Sequence, residues 1–470
     1  MNYYLAIDIG ASSGRHILGS LENGQLNLEE IYRFENGMKK KEGHLVWDTK
    51  YLFHEILEGI KKCKEINKIP KSIAIDTWAV DYVLLDENDE VIGDVYGYRD
   101  SRTKGMDEEV YKHITPPERL YRFSGIQKQS FNTIYQLMAD KIQRPKELEK
   151  AKTFLMLPDY FQFLLTGKKK SEYTNATSTQ LVKVNTRKWN RKLMADLGIP
   201  KDMFLRLSKT GQYTGKIRPA IREIVGFNAN VVMCASHDTA SAVMSVPEIS
   251  GNGIYISSGT WSLMGVESEK VINTEKSMNE NFTNEGGYEY RYRYLKNIMG
   301  LWMIQSVRHE LDDKYSFAEL CEMAEECKIF PSRVDVNSDE FLAPESMIDA
   351  IKEYCKKTNQ QIPEQIGEIA TVIYQSLAES YGQTVKEIEE NTGRTYEAIY
   401  IVGGGSNAEY LNKLTANATG KTVYAGPLEA TAIGNIMAQA IRDEQIENLT
   451  EARKCVMNSF EIKKYQPDNN

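Results

Sequence analysis

The chain has 470 residues, 41% of them apolar and 26% charged, and a formal net charge of −8. That length exceeds what one hydrophobic core sustains, so two domains are expected. The composition excludes a disordered chain, no stretch approaches the roughly 20 apolar residues of a membrane span, and an acidic balance argues against a large nucleic-acid footprint, which needs a basic face.

The opening MNYYLAIDIG runs directly into a strand-like segment and has none of the parts of a secretory signal, which points to a cytoplasmic protein. The six cysteines, Cys63, Cys234, Cys321, Cys327, Cys355 and Cys455, form no CxxC motif and are expected as reduced thiols.

In chain order, YYLAID, GASSG, RHILGSL and LNLEEIYRF alternate apolar runs with small or polar turns, predicting an antiparallel meander. Leu52, Ile56, Ile60, Cys63 and Ile66 then recur at spacings of three and four, the pattern of an amphipathic helix. A buried strand, SIAID, follows and ends at Asp76, so strand and helix alternate as in α/β folds. Residues 100–230 read as mostly helical, punctuated by Pro116, Pro145, Pro158 and Pro200, and as an insertion or cap on the first domain. The lysine runs at Lys39–Lys41 and Lys168–Lys170 read as solvated turns. The apolar VVMC leads into SHDTASAVMSV, a helix for which Ser236 is the expected N-cap. Pro247–Gly253 reads as a linker, dividing the chain into domains 1–246 and 250–470.

The second half restarts with the same pattern. Leu5 to Gly14 and Ile254 to Gly265 are each a strand, a Gly/Ser/Thr turn and a second strand, an internal repeat. A long helix is expected over 363–391, then the strand AIYIVGGG and another helix from Asn407.

Asp8 stands at the end of a buried strand, followed by Ala11, Ser12, Ser13, Gly14 and Arg15. Small residues let backbone N–H groups approach an anion, and a carboxylate there suits a hydrated Mg²⁺. An ordinary hairpin turn accounts for the same residues. The second turn, Ser257–Thr260, is equally unspecific alone, but two matching hairpins can hold a polyphosphate from both sides. Three glycines, Gly403–Gly405, between strand and helix offer bare backbone to a flat base. Neither a GxxxxGK[ST] loop nor a GxGxxG turn after a strand is present. Asp238, at a helix start after a buried strand, suits a proton acceptor for phosphoryl transfer, and equally a capping residue of the first helical turn. Asp76-Thr-Trp-Ala-Val-Asp81 sets an indole among carboxylates, a mixture suited to a sugar or to a core tryptophan. Arg291 to Trp302 is rich in long polar and aromatic side chains that would border a cleft.

These stretches, together with YRDSRT, SGIQ, FNTIYQL, MLPDYF, EYTNATSTQL, TNEGG, LKNIMGLW and IVGGGSNAEYLNKLTANATG, resemble the FGGY family of carbohydrate kinases, within the actin, hexokinase and Hsp70 ATPase superfamily. The resemblance spans nearly the whole chain and is to the branch acting on L-rhamnulose. It implies an α/β protein of two ribonuclease H-like domains flanking a central cleft, and ATP- and Mg²⁺-dependent phosphorylation of L-rhamnulose at its 1-hydroxyl. It implies Asp238 as general base, with His237 and Thr239 beside it at the sugar. Trp78, Asn297 and position 79 would also contact the sugar. Ala11 to Arg15, Thr260, Gln305 and Gly404 would contact the nucleotide, with Asp8 at the metal. Position 79 departs from the family's glycine: here it is Ala79. The rival readings are a kinase for another ketose or polyol and a chaperone-like ATPase module. A monomer or weak homo-oligomer is expected, without nucleic-acid or membrane partners.

Overall fold

A computed structural model describes residues 2–114, 116–327 and 330–468. The first three strands, Asn2–Ile9, Ser13–Glu22 and Gln25–Glu35, form the expected antiparallel meander. The helix Thr49–Glu65 then crosses over so that the strand Ser72–Thr77 pairs parallel with the first. The helix begins where Asp48 accepts the Tyr51 amide at 2.9 Å, and it buries Leu52, Ile56, Ile60 and Cys63, the stripe that the spacing predicts. Ser72–Thr77 is buried along its whole length, as an interior strand must be. The register places Asp8 opposite Asp76, so two carboxylates emerge side by side at the C-terminal ends of neighbouring parallel strands. Open α/β sheets bind their ligands at that edge.

The 100–230 region is more mixed than its sequence suggests. Short helices such as Met106–Tyr111, Thr133–Gln143 and Leu157–Thr166 are interleaved with two-residue strands. Its last two strands, Tyr213–Lys216 and Asn230–Val232, extend the first sheet beyond Ser72–Thr77 to six strands. Nor is it purely a cap: Leu157, Phe161 and Leu165 pack into one core with Leu5, Ile7, Ile73 and Ile75. A second core forms around Tyr82, Ile134, Tyr135, Phe154 and Phe204. Lys39–Lys41 is a short exposed strand paired with His44–Trp47 rather than a turn.

The chain forms two compact units, and a single cut near residue 248 does not separate them. The first comprises Met1–Ser245, Glu267–Tyr294 and Thr431–Ser459. Its late segment includes most of the helix Ala430–Arg442, which returns to the first sheet. There Gln439 donates to the Leu5 carbonyl at 3.0 Å and accepts from Ser72 Oγ at 2.7 Å. This helix crosses Asp238–Met244 so closely that a Cβ on Gly434 would lie 1.7 Å from the Ser241 carbonyl oxygen. Sequence patterning marks helices and strands but not which sheet they return to, and this segment lies far along the chain.

The second unit comprises Val246–Val266, Leu295–Ala430 and Phe460–Asn470. Gly253–Ser258 pairs antiparallel with Trp261–Ser268 on one side and parallel with Ala398–Val402 on the other. That is the arrangement of the first sheet, as the internal repeat predicts. Thr422–Ala425 and Lys463–Tyr465 continue the sheet. The long helix runs over Ile366–Thr392, starting in a capping box of Gln365 and Glu368 and ending at Gly393 in the left-handed conformation. All six cysteines are free. Among the described residues no helix is long and apolar enough to cross a membrane.

Candidate active site

The Ser72–Thr77 strand and the helix beginning at Asp238 bring the first unit's acidic residues together. The Thr77 amide donates to the Ser236 carbonyl at 3.0 Å and Thr77 bridges to His237, which sets Asp238 beside the strand that carries Asp76. Ser236 is not the helix cap. His237 occupies that position, without a side-chain cap, and Asp238 is the first helical residue. The reason lies elsewhere in the chain: Ser236 Oγ donates instead to Glu172 at 2.8 Å. Glu172 is fully buried and also accepts from Thr174 Oγ1 and Thr210 Oγ1, each at 2.5 Å, anchoring the segment before Asp238.

Burial, reinforced by the charge of Asp8, pushes the Asp238 carboxyl up to about 7, against the hydrogen bond from the Thr239 amide at 2.6 Å. Asp76 is raised well above the ordinary carboxylate range, chiefly by burial and then by Asp8. Its Oδ2 accepts from Asn435 at 2.5 Å and its Oδ1 has no partner among the described residues. Asp8 is held by Arg15 across the hairpin at 2.8 Å. The turn that includes Ala11, Ser12 and Ser13 is closed by the Gly10 amide on Ser13 and by the Asn36 amide on Ser12. Gly14 is required by packing: a Cβ there would lie 2.1 Å from the Phe34 ring.

His237 and Thr239 belong to a buried network. His237 Nδ1 lies 3.0 Å from Arg293 Nη2, its Nε2 lies 3.1 Å from Thr239 Oγ1, and Arg293 Nη1 donates to that hydroxyl at 2.8 Å. Arg293 is completely buried and pairs with Glu285 at 2.8 Å. Burial, then the Arg293 charge, holds His237 well below the usual imidazole range, so the ring is neutral. Sequence reasoning did not single out Glu285 or Arg293. The signal was present in TNEGG and in the polar run starting at Arg291, but not the pairing across the fold.

Trp78 and Ala79 follow directly after Thr77. The Trp78 indole lies against Trp47 at a ring separation of 4.1 Å and donates to Asp81 at 2.9 Å, while Trp47 donates to the same oxygen at 2.7 Å. Gln136 and the Tyr98 amide complete four donors to Asp81. This carboxylate therefore positions the tryptophans and has little capacity left for a ligand. Val80 sits at φ 68°, a left-handed conformation costly for a β-branched residue, held by Ser178, Thr133 and Gln136. Ala79, beside it, is half-buried.

In the second unit, Thr260 caps the hairpin turn. Its carbonyl accepts the amides of Gly300 and Trp302, and its hydroxyl lies 3.4 Å from Gln305. The glycine turn passes over the same hairpin: Cβ atoms on Gly403 and Gly405 would come within 2.9 Å and 1.9 Å of Ser258 atoms. Gly404 alone of the three meets only the Ser258 carbonyl, at 3.9 Å, an ordinary contact distance. Asn297 is half-buried on the strand Tyr292–Met299.

The model of the N-terminal domain of the FGGY family of carbohydrate kinases matches residues 3–245, and that of the C-terminal domain matches 254–442. The chain belongs to this family. A protein named rhamnulokinase from Halalkalibacterium halodurans is 51% identical over 99% of both chains. One of the same name from Bacillus subtilis is 42% identical over 99% of this chain and 95% of its own. Among solved structures, gluconate kinase from Lactobacillus acidophilus superposes with a TM-score of 0.79, covering 99% of this chain and 94% of that one at 16% identity. Plasmodium falciparum glycerol kinase with ADP gives 0.78 over 100% and 95% at 13% identity. At such identities the likeness is one of fold, and it establishes the two-domain α/β architecture of the sugar kinases.

Proposed function

We propose that this carbohydrate kinase transfers the γ-phosphoryl group of ATP to the 1-hydroxyl of L-rhamnulose, with Asp238 as general base. The substrate reading rests on full-length identity to proteins named rhamnulokinase. The mechanistic reading is carried by one observation: a carboxylate at a helix start, pushed up to about 7 and flanked by a neutral histidine and a threonine hydroxyl. A base with that affinity takes a proton from an attacking alcohol near neutral pH and yields it readily afterwards.

Phosphoryl transfer demands mainly positioning and charge neutralisation. Arg15 and the N–H groups of the Ala11–Gly14 turn would face the transferred phosphoryl group, and Thr260, Gln305 and Gly404 the rest of the nucleotide. Trp78, Ala79, His237, Thr239 and Asn297 would hold the sugar. Asp8 fits Mg²⁺, which needs only one or two protein carboxylates beside substrate phosphates and water, and the ion would neutralise phosphate charge. A cytosolic enzyme accords with ATP use and six free cysteines.

The test is incubation of the purified chain with ATP, Mg²⁺ and a panel of L-rhamnulose, L-fuculose, D-xylulose, gluconate and glycerol. Phosphorus and carbon NMR of the product identify the esterified carbon. Preferential formation of L-rhamnulose 1-phosphate is expected. Preference for another acceptor would overturn the substrate reading, for which the Ala79 methyl group offers a cause. ADP release independent of any sugar would support the ATPase-module reading instead.

A further inference from the structure

A guanidinium has only donors, so the 3.0 Å contact between Arg293 Nη2 and His237 Nδ1 requires that Nδ1 carry no proton. The neutral ring then keeps its proton on Nε2, which lies 3.1 Å from Thr239 Oγ1 and 3.5 Å from Asp238 Oδ1. Thr239 Oγ1 also receives the Arg293 Nη1 proton at 2.8 Å. With two donors directed at one hydroxyl oxygen, both of its lone pairs are engaged and its own proton is free to be donated. Arg293 is locked in turn. Its Nε–H donates to the Gly286 carbonyl at 3.0 Å, and Glu285 balances its charge at 2.8 Å.

We propose that Arg293, held by Glu285, is a positioning residue that fixes His237 as the neutral Nε2–H tautomer and makes Thr239 a hydrogen-bond donor to the sugar. Asp238 is then the proton acceptor of the cluster, and sugar oxygens meet the Thr239 hydroxyl as acceptors. The functional part rests on the kinase reading above. The tautomer does not.

The charges around His237 define what losing Arg293 does. Asp238 flanks the ring from its own helix, and Glu285 lies 3.4 Å from Nδ1. Glu172 stands behind Ser236, Asp76 comes from the neighbouring strand, and Glu289 from the adjoining turn is paired with Arg291. Arg293 is the one cation in contact with the ring among the described residues. Without it, Glu285 at 3.4 Å, joined by Asp238 at 3.5 Å when that carboxyl is ionised, faces the imidazole unopposed and favours its protonation.

The experiment is a ¹⁵N–¹H long-range correlation spectrum of the full chain with ¹⁵N-labelled histidine, with His237 assigned by its loss in His237→Gln. The wild type should show an unprotonated Nδ1 and a protonated Nε2, unchanged from pH 8 to pH 5.5. In Arg293→Met, His237 should titrate within that range. Its kcat/KM for the sugar should fall at least tenfold more than the wild type's between pH 8 and pH 6. Adding Glu285→Gln to Arg293→Met removes the unpaired acid and should restore a His237 that stays neutral. A wild-type Nδ1–H tautomer, or an Arg293→Met protein with unchanged His237 signals, overturns the proposal, and the wild-type spectrum decides it even if the variants do not fold. Failure of the kinase reading would appear separately, as wild type that phosphorylates no sugar.

Discussion

Acidification should silence this kinase through Asp238. Its carboxyl is pushed up to about 7 by burial and then by the neighbouring Asp8. As the proposed general base it would work ionised, so activity should be present above that value and lost as pH falls through it. At pH 6 about one molecule in ten carries the ionised base, and kcat/KM for the sugar should drop about tenfold for each further pH unit. Asp238→Asn removes the proton acceptor without changing shape and should cost about 10²–10⁴ in kcat. The assay is coupled ADP release at saturating nucleotide with sugar varied, from pH 5.5 to pH 9, for wild type and Asp238→Asn. The variant's residual rate separates the base from the nucleotide's own ionisation, since an acid limb belonging to the γ-phosphate persists without the aspartate. A wild-type profile flat down to pH 5.5, the same limb in both proteins, or a variant within tenfold of wild type would refute the assignment.

The glycine turn offers a paired test. Gly405→Ala pushes a methyl group to 1.9 Å from Ser258 Oγ and should cost about 1–3 kcal/mol in thermal unfolding, whereas Gly404→Ala has room at 3.9 Å and should leave the melting temperature alone while raising KM for ATP. Gly434→Ala drives a methyl group into the Ser241 backbone at 1.7 Å, three residues beyond Asp238, and should lower both stability, by about 3 kcal/mol or more, and kcat. Burial holds the Asp81 carboxyl at about 6, and its donors oppose that rise. Trp47→Phe removes one of them and raises the value further, so the ionised form is penalised. The variant should then lose about 1–3 kcal/mol more at pH 8 than at pH 5.5, measured by thermal unfolding at both.

Much of this protein is legible along the chain. Hydrophobic periodicity marks the meander, the Thr49–Glu65 helix and the 27-residue helix Ile366–Thr392, because each is set by spacings within one element. The repeated strand–turn–strand text anticipates that both sheets are built alike. Asp8 and Asp238 stand out along the chain as well, since a carboxylate at a strand end or helix start is a local feature.

What the fold alone decides is how such residues are used. Ser236 has the chemistry of a cap but is taken by Glu172, 64 positions away. Asp81 looks available to a sugar until two indoles and Gln136 converge on it. Gly14, Gly403 and Gly405 look alike in sequence to Gly404, yet packing on Phe34 and Ser258 accounts for the first three and leaves the fourth with room for a Cβ at an ordinary contact distance. Arg293 reaches His237 across 56 residues, and Asn435 reaches Asp76 across 359. Local spacing records which face a side chain lies on, whereas its partner, and with it its protonation, is fixed only when distant strands and helices close around it.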